Sequence, residues 1–162
     1  MHYKTSLSII FAAIVILAAS AGAAPDFGVN VYGFSYHLDR TDINGNPFNE
    51  QNVGLGFRAI LRDTKKGVTF IEGGWFEDSF DHGARYLSAA YQIKVTEGIL
   101  LGLNIGFYDA PSVVGQIIAP IPTLTLRYHA VALNIIHMPG FSGLNPYPSF
   151  GGYMTFYILR GR

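Results

Sequence analysis

The chain contains no cysteine, which excludes both a disulfide framework and a thiolate nucleophile. Charge is scarce as well: 14% of its 162 residues are charged, and the formal net charge is zero. Without a basic field, nucleic acid is not an expected partner. No spacing of His, Asp and Glu resembles a zinc site, and GLGF (54–57) and GLNIG (102–106) open no helix, as phosphate loops must. Neither a metal nor a cofactor is therefore expected. Beyond the first two dozen residues, no apolar run approaches the length of a membrane-spanning helix. What abounds instead is 19 Gly, 12 Phe and 10 Tyr, a composition suited to strands and turns.

The first residues form a separate object. A short basic start (His2, Lys4) precedes an apolar stretch from Ile9 to Ala19, and Ala21-Gly22-Ala23 supplies an A-x-A cleavage site. Residues 1–23 therefore read as a secretory signal peptide, and residues 24–162 as a single exported domain.

That domain alternates with period two, segment after segment. In 53–62, Val53, Leu55, Phe57, Ala59 and Leu61 oppose Gly54, Gly56, Arg58, Ile60 and Arg62. In 99–108, Ile99, Leu101, Leu103, Ile105 and Phe107 oppose Leu100, Gly102, Asn104, Gly106 and Tyr108. In 29–38, Asn30, Tyr32, Phe34, Tyr36 and Leu38 oppose Val29, Val31, Gly33, Ser35 and His37. Further segments lie near 68–76, 84–94, 117–127, 129–138 and 150–159. Such lengths suit a tilted strand crossing a bilayer. One face is large and apolar, the other small, glycine-rich or polar, as lipid outside and a narrow lumen require. A soluble sandwich would carry more charge on its exposed face. The expected fold is all-β: an eight-stranded antiparallel transmembrane β-barrel. The connections agree. DRTDINGNPFNEQN, EDSFDHG, DAPSVVGQ and the stretch from Pro139 to Ser149 are long, whereas DTKKG, VTEG and the junction at Arg127-Tyr128 are short. Long loops on one rim and tight turns on the other mark an outer-membrane barrel of a Gram-negative cell.

This topology collects polar groups at the outer mouth. His37 stands at the top of the first strand on its small-residue face. Asp78 and Ser79 reach the same rim from the third strand, and Asp78 continues the face of Glu72 and Gly74. A base, a carboxylate and a hydroxyl within mutual reach are what acyl transfer needs. A polar rim in which Asp-Ser starts a turn is the plainer reading of the same residues. His82 sits mid-loop and reads as solvated, while His129 and His137 fall on the lipid face of the seventh strand, near its ends.

Pro120 and Pro122 interrupt the sixth strand and Pro139 ends the seventh. Proline removes a ladder hydrogen bond, so these positions imply open pairing between strands six and seven, a gap for a lipid chain, or else a bend at the rim.

The chain resembles the outer-membrane lipid A palmitoyltransferases. The likeness lies in SYH (35–37), Phe48-Asn49-Glu50, the Gly-x-Gly-Phe of 54–57, F-x-D-S (76–79), P-I-P-x-L (120–124) and M-P-G (138–140), in the family's order over nearly all the exported domain. The resemblance implies a monomeric enzyme that moves palmitate from a phospholipid donor to a lipid A acceptor. It casts His37 as the base, Asp78 as the polarising group, and Ser79 as an oxyanion donor or nucleophile. It implies lateral lipid access beside Pro120, Pro122 and Pro139. It also implies a narrow acyl well floored at Ala90, which limits the chain to palmitate or shorter. The family's amphipathic helix before the barrel has no room here, and of the prolines at its first opening only Pro47 is present. The final Arg160-Gly161-Arg162 follows the last strand, where such barrels end on an aromatic residue.

Two other functions fit the same pattern. A lipid hydrolase would use the same groups with water as acceptor. A small non-enzymatic barrel would have a lumen packed by side chains, against which the lumen-facing Gly and Ala argue.

Overall fold

A computed structural model describes residues 26–110, 115–140 and 145–159. The expected signal peptide and the Arg160–Arg162 tail lie outside these residues. Eight strands follow one another: β1 (Asp26–His37), β2 (Gly54–Asp63), β3 (Gly67–Glu77), β4 (Gly83–Lys94), β5 (Ile99–Ala110), β6 (Gly115–Tyr128), β7 (Val131–Met138) and β8 (Ser149–Leu159). Each pairs antiparallel with its neighbours in sequence, and β1 pairs with β8, closing the barrel. Closure pairs every strand on both sides, as a bilayer demands, except along the upper part of β6.

The alternation sorts side chains as expected on β4 and β5 and over most of β2 and β3; there Ala59 and Ile71, expected on the outer face, are buried, and a register shift between Ile60 and Arg62 leaves Arg62 exposed. Leu55, Phe57, Trp75, Tyr91, Ile93, Leu101, Leu103 and Ile105 are exposed on the outer wall, while Arg58, Phe70, Glu72, Gln92 and Asn104 are buried in the lumen. On β8, Phe150, Met154 and Phe156 face outward; Tyr153 and Thr155 are buried. An apolar wall of this extent belongs against lipid rather than water.

Three further details depart from the sequence reading. In the lower half of β1 the faces are reversed: Asn30 is fully buried and Val31 is 40% exposed. A bulge explains this, because the register against β8 steps from Tyr32 to Phe34 and skips Gly33. One inserted residue flips the parity, so Asn30 and His37 both face inward although they differ by an odd number of positions. Second, β6 runs through Pro120 and Pro122 without interruption and is paired with β5 from Gly115 to Leu126. Its ladder with β7, however, spans only Thr123 to Tyr128. Third, the tight turn between β6 and β7 is His129-Ala130, with His129 in the left-handed region at φ 51°. His129 is therefore a turn residue, whereas His137 does lie on β7 and stacks on outward-facing Phe150, ring centroids 4.7 Å apart.

The lumen below mid-height is packed, contrary to the reading of its glycines as empty space. Arg58 and Glu72 face each other across β2 and β3 and form an ion pair at 2.8 Å. Glu72 also accepts hydrogen bonds from Asn30, Asn104 and Tyr153, and Arg58 donates to Asn134. Beneath this polar layer Ile60, Val68, Phe70, Ala90 and Leu100 form an apolar plug. The glycines make room for large partners. A Cβ on Gly56 would stand 2.8 Å from the Gly73 carbonyl oxygen and 3.2 Å from the Tyr32 hydroxyl, and one on Gly74 would stand 2.7 Å from the Gly56 Cα and 3.2 Å from the Tyr86 ring.

Candidate active site at the outer mouth

The connection between β1 and β2 (38–53) folds over the mouth, and backbone hydrogen bonds lace it to the other rim loops. The amide of Asn49 donates to Ser79 O at 2.9 Å, Ser35 N donates to Glu50 O, and Leu38 N donates to Pro148 O. Its one large buried side chain is Phe48. It stacks on His37 (ring centroids 4.2 Å, 20° between planes) and meets Phe80 and Tyr147 edge-on. At the loop's tip Asp42 accepts from the amides of Asn44 and Asn46, and the Asn46 side chain holds its carboxyl below the usual range.

Beside this aromatic cluster lies an open cavity of about 180 Å³. His37, Asp78 and Ser79 all line it, so the fold brings the three expected site residues to one space. His37, the last residue of β1, is 4% exposed, and its Nδ1 is buried without a hydrogen-bond partner. Asp78 is 6% exposed. Its Oδ1 accepts from the amides of Phe80 and His82, both at 2.9 Å, which closes the β3–β4 loop as an Asx-type turn. The plainer reading of Asp-Ser, the start of a turn, is what the carboxylate does here, and Asp78 also lines the cavity. The Ser79 hydroxyl lies 3.4 Å from that of Ser35. His82 contributes its backbone, the amide to Asp78 Oδ1 and the carbonyl to the Asp78 amide, and the residue is exposed.

The cavity walls are apolar, with Phe76, Ala84, Ile117, Ala119, Ile121 and Ile136 among them. Pro139 lines its edge, while Pro120 and Pro122 point outward from β6, where that strand has no ladder to β7. Its floor is made of tyrosines. Tyr32 and Tyr153 line the cavity, the Tyr86 hydroxyl is hydrogen-bonded to that of Tyr32, and Tyr153 donates to Glu72 at 2.9 Å. Ala90 lies elsewhere. It is paired with Phe70, one inward position below the Glu72–Ser88 pair, and belongs to the plug under the polar layer.

Sequence reasoning missed Ser35, Phe48 and the floor. Ser35 was within reach, since it shares the face of His37. Phe48 entered only as part of the motif Phe48-Asn49-Glu50, with no role of its own. The floor carried no signal, because it assembles from β1, β4 and β8 through the bulge at Gly33.

Fold and mouth together define the class: a closed eight-stranded antiparallel barrel of outer-membrane type. Comparison with family profiles finds no match, and none of the curated proteins matches. Among solved structures the chain is similar to the Yersinia pestis outer membrane protein Ail in a phospholipid bilayer nanodisc, at 9% identity. That match covers 83% of this chain and 99% of that one, with a TM-score of 0.47. The likeness concerns architecture alone.

Proposed function

We propose that the chain is an outer-membrane acyltransferase that moves an acyl chain from a phospholipid to lipid A at the outer rim. The observation that carries this reading is the convergence of His37, Asp78 and Ser79, from β1 and the β3–β4 loop, on one apolar-walled cavity. In the proposed reaction His37 accepts the proton of the acceptor hydroxyl as that oxygen attacks the donor's ester carbonyl. The Ser79 hydroxyl, with Ser35 beside it, donates to the developing oxyanion. The ester C–O bond then breaks, and the lysophospholipid leaves with the proton from His37. Asp78 fixes the loop that presents Ser79 and supplies a negative field. The missing β6–β7 ladder above Thr123 supports lateral access of the donor chain near Pro120, Pro122 and Pro139.

The test is the mass spectrum of lipid A from a Gram-negative host expressing the chain. An added acyl mass that disappears in His37→Phe and Ser79→Ala supports the reading; unchanged lipid A with a folded barrel in the membrane refutes it. Free fatty acid without heavier lipid A would identify the hydrolase instead. A non-enzymatic barrel is the second reading, favoured by the packed lower lumen around Arg58 and Glu72.

A further inference from the structure

The net charge of zero conceals a separation along the barrel axis. Among the described residues, the outer rim carries seven carboxylates against Arg40 and Arg85. The opposite rim, where the tight turns lie, carries five cations, Arg62, Lys65, Lys66, Lys94 and Arg127, against Asp63 and Glu97, with Asp26 at the foot of β1. Arg58 and Glu72 neutralise each other inside the lumen.

The five cations fall into two groups. Lys94 and Arg127, at the turn ends of β4 and β6, both pair with Asp63, one on each carboxylate oxygen. That carboxylate is thereby fully engaged. Arg62, Lys65 and Lys66 belong to the same β2–β3 hairpin as Asp63, yet among the described residues they form no ion pair, and all three are exposed.

The hairpin holds them in a fixed frame. The Thr64 hydroxyl accepts from the amides of Lys66 at 3.3 Å and Gly67 at 3.2 Å, and the Thr64 amide donates to Gly67 O at 3.0 Å. Directly above the turn the outer wall is apolar: Ile93, paired with Gly67, is 50% exposed, and Tyr91 is 52% exposed. The Tyr91 hydroxyl reaches down to the turn, since a Cβ on Gly67 would stand 2.7 Å from it. A tyrosine with its ring on an apolar wall and its hydroxyl at a polar turn marks the boundary between hydrocarbon and headgroups. The three unpaired cations therefore stand at the depth of lipid phosphates.

We propose that the β2–β3 turn binds the headgroup of an anionic phospholipid in the leaflet that faces the turns. Arg62, Lys65 and Lys66 take the phosphate, and the acyl chains run up the wall along Tyr91 and Ile93. The continuity of that wall with the cationic turn decides for lipid over soluble phosphate, because a phospholipid joins the two chemistries in one molecule. A zwitterionic headgroup adds an ammonium that the same cations repel. The other turns lack the combination: Lys94 is engaged by Asp63, and the β4–β5 turn carries Glu97. The site lies at the far end of the barrel from the mouth and does not depend on acyl transfer.

The test uses the purified chain in phosphatidylcholine bicelles, in which phosphatidylglycerol replaces phosphatidylcholine stepwise. The amides of Lys65, Lys66 and Gly67 report the site, and those of Gly98 and Ala130 report the other two turns. Each Lys or Arg near an anionic surface contributes about fivefold in affinity. The site amides are thus expected to shift saturably, with a midpoint at least about fivefold lower in phosphatidylglycerol than at Gly98 and Ala130. The combined variant Arg62→Gln, Lys65→Gln, Lys66→Gln is expected to lose that shift, with its folding checked by the heat-dependent gel mobility of barrels. An equal response at all three turns would reveal a charged surface without a site, and it would overturn the proposal. So would silence at the site amides, or an unchanged response in a folded triple variant. Inorganic phosphate, titrated at constant ionic strength into bicelles free of phosphatidylglycerol, is the second probe. It is expected to leave the site amides in place; saturation as tight as with phosphatidylglycerol would assign the turn to a soluble phosphate and overturn the lipid assignment.

Discussion

Arg58 and Glu72 sit directly opposite each other on β2 and β3, joined at 2.8 Å and almost wholly withdrawn from solvent. A buried pair of this kind is costly to break, because removing one partner leaves the other charged without compensation. Glu72→Ala is expected to destabilise the barrel by about 3–5 kcal/mol. Replacing both partners, as Arg58→Met with Glu72→Leu, is expected to recover most of that loss. Urea unfolding followed by fluorescence of Trp75, the single tryptophan, measures both. A double variant as unstable as Glu72→Ala would show that the surrounding network, not the lone charge, carries the cost.

Phe48 stacks on the His37 ring and holds it against the rim loops. An aromatic pair contributes about 0.5–1.5 kcal/mol, so Phe48→Ala is expected to reduce His37-dependent transfer by about 2- to 10-fold. Phe48→Tyr keeps the stack and should restore the rate. If both variants match the parent in initial-rate measurements, the ring does not position His37.

Asp78 ties down its loop through two backbone amides on one carboxylate oxygen. Hydrogen bonds to a charged group contribute about 1.5–3 kcal/mol each, so Asp78→Ala should loosen the 78–82 turn enough to admit protease. Asp78→Asn retains a carbonyl acceptor and is expected to resist cleavage, yet to transfer acyl chains more slowly for want of the negative charge. Full activity in Asp78→Asn would assign Asp78 to the turn alone.

Ala90 packs with Ile60, Val68, Phe70 and Leu100 below the ion pair. Ala90→Gly is therefore expected to lower stability by about 0.5–1 kcal/mol and leave the acyl-chain preference as it was. A lengthened product in lipid A mass spectra would show that chains reach past the tyrosine layer.

Much of this architecture is legible in the residues themselves. Strand number, loop asymmetry and the two faces of β2 to β5 follow from alternation, because the period of a strand is local and each segment carries it alone. The rim position of His37, Asp78 and Ser79 follows from the same count.

What the tertiary structure decided are relations between strands. The bulge at Gly33 keeps both Asn30 and His37 in the lumen, a phase change that strict alternation does not contain. Gly56 and Gly74 read as vacancies along their own strands, but between strands they allow close backbone approach and leave clearance for Tyr32 and Tyr86. Whether a lumen is open depends on how much volume all eight strands deliver to one level. That sum exists only once the register is set, and here it places a tyrosine floor where each strand by itself suggested an open well.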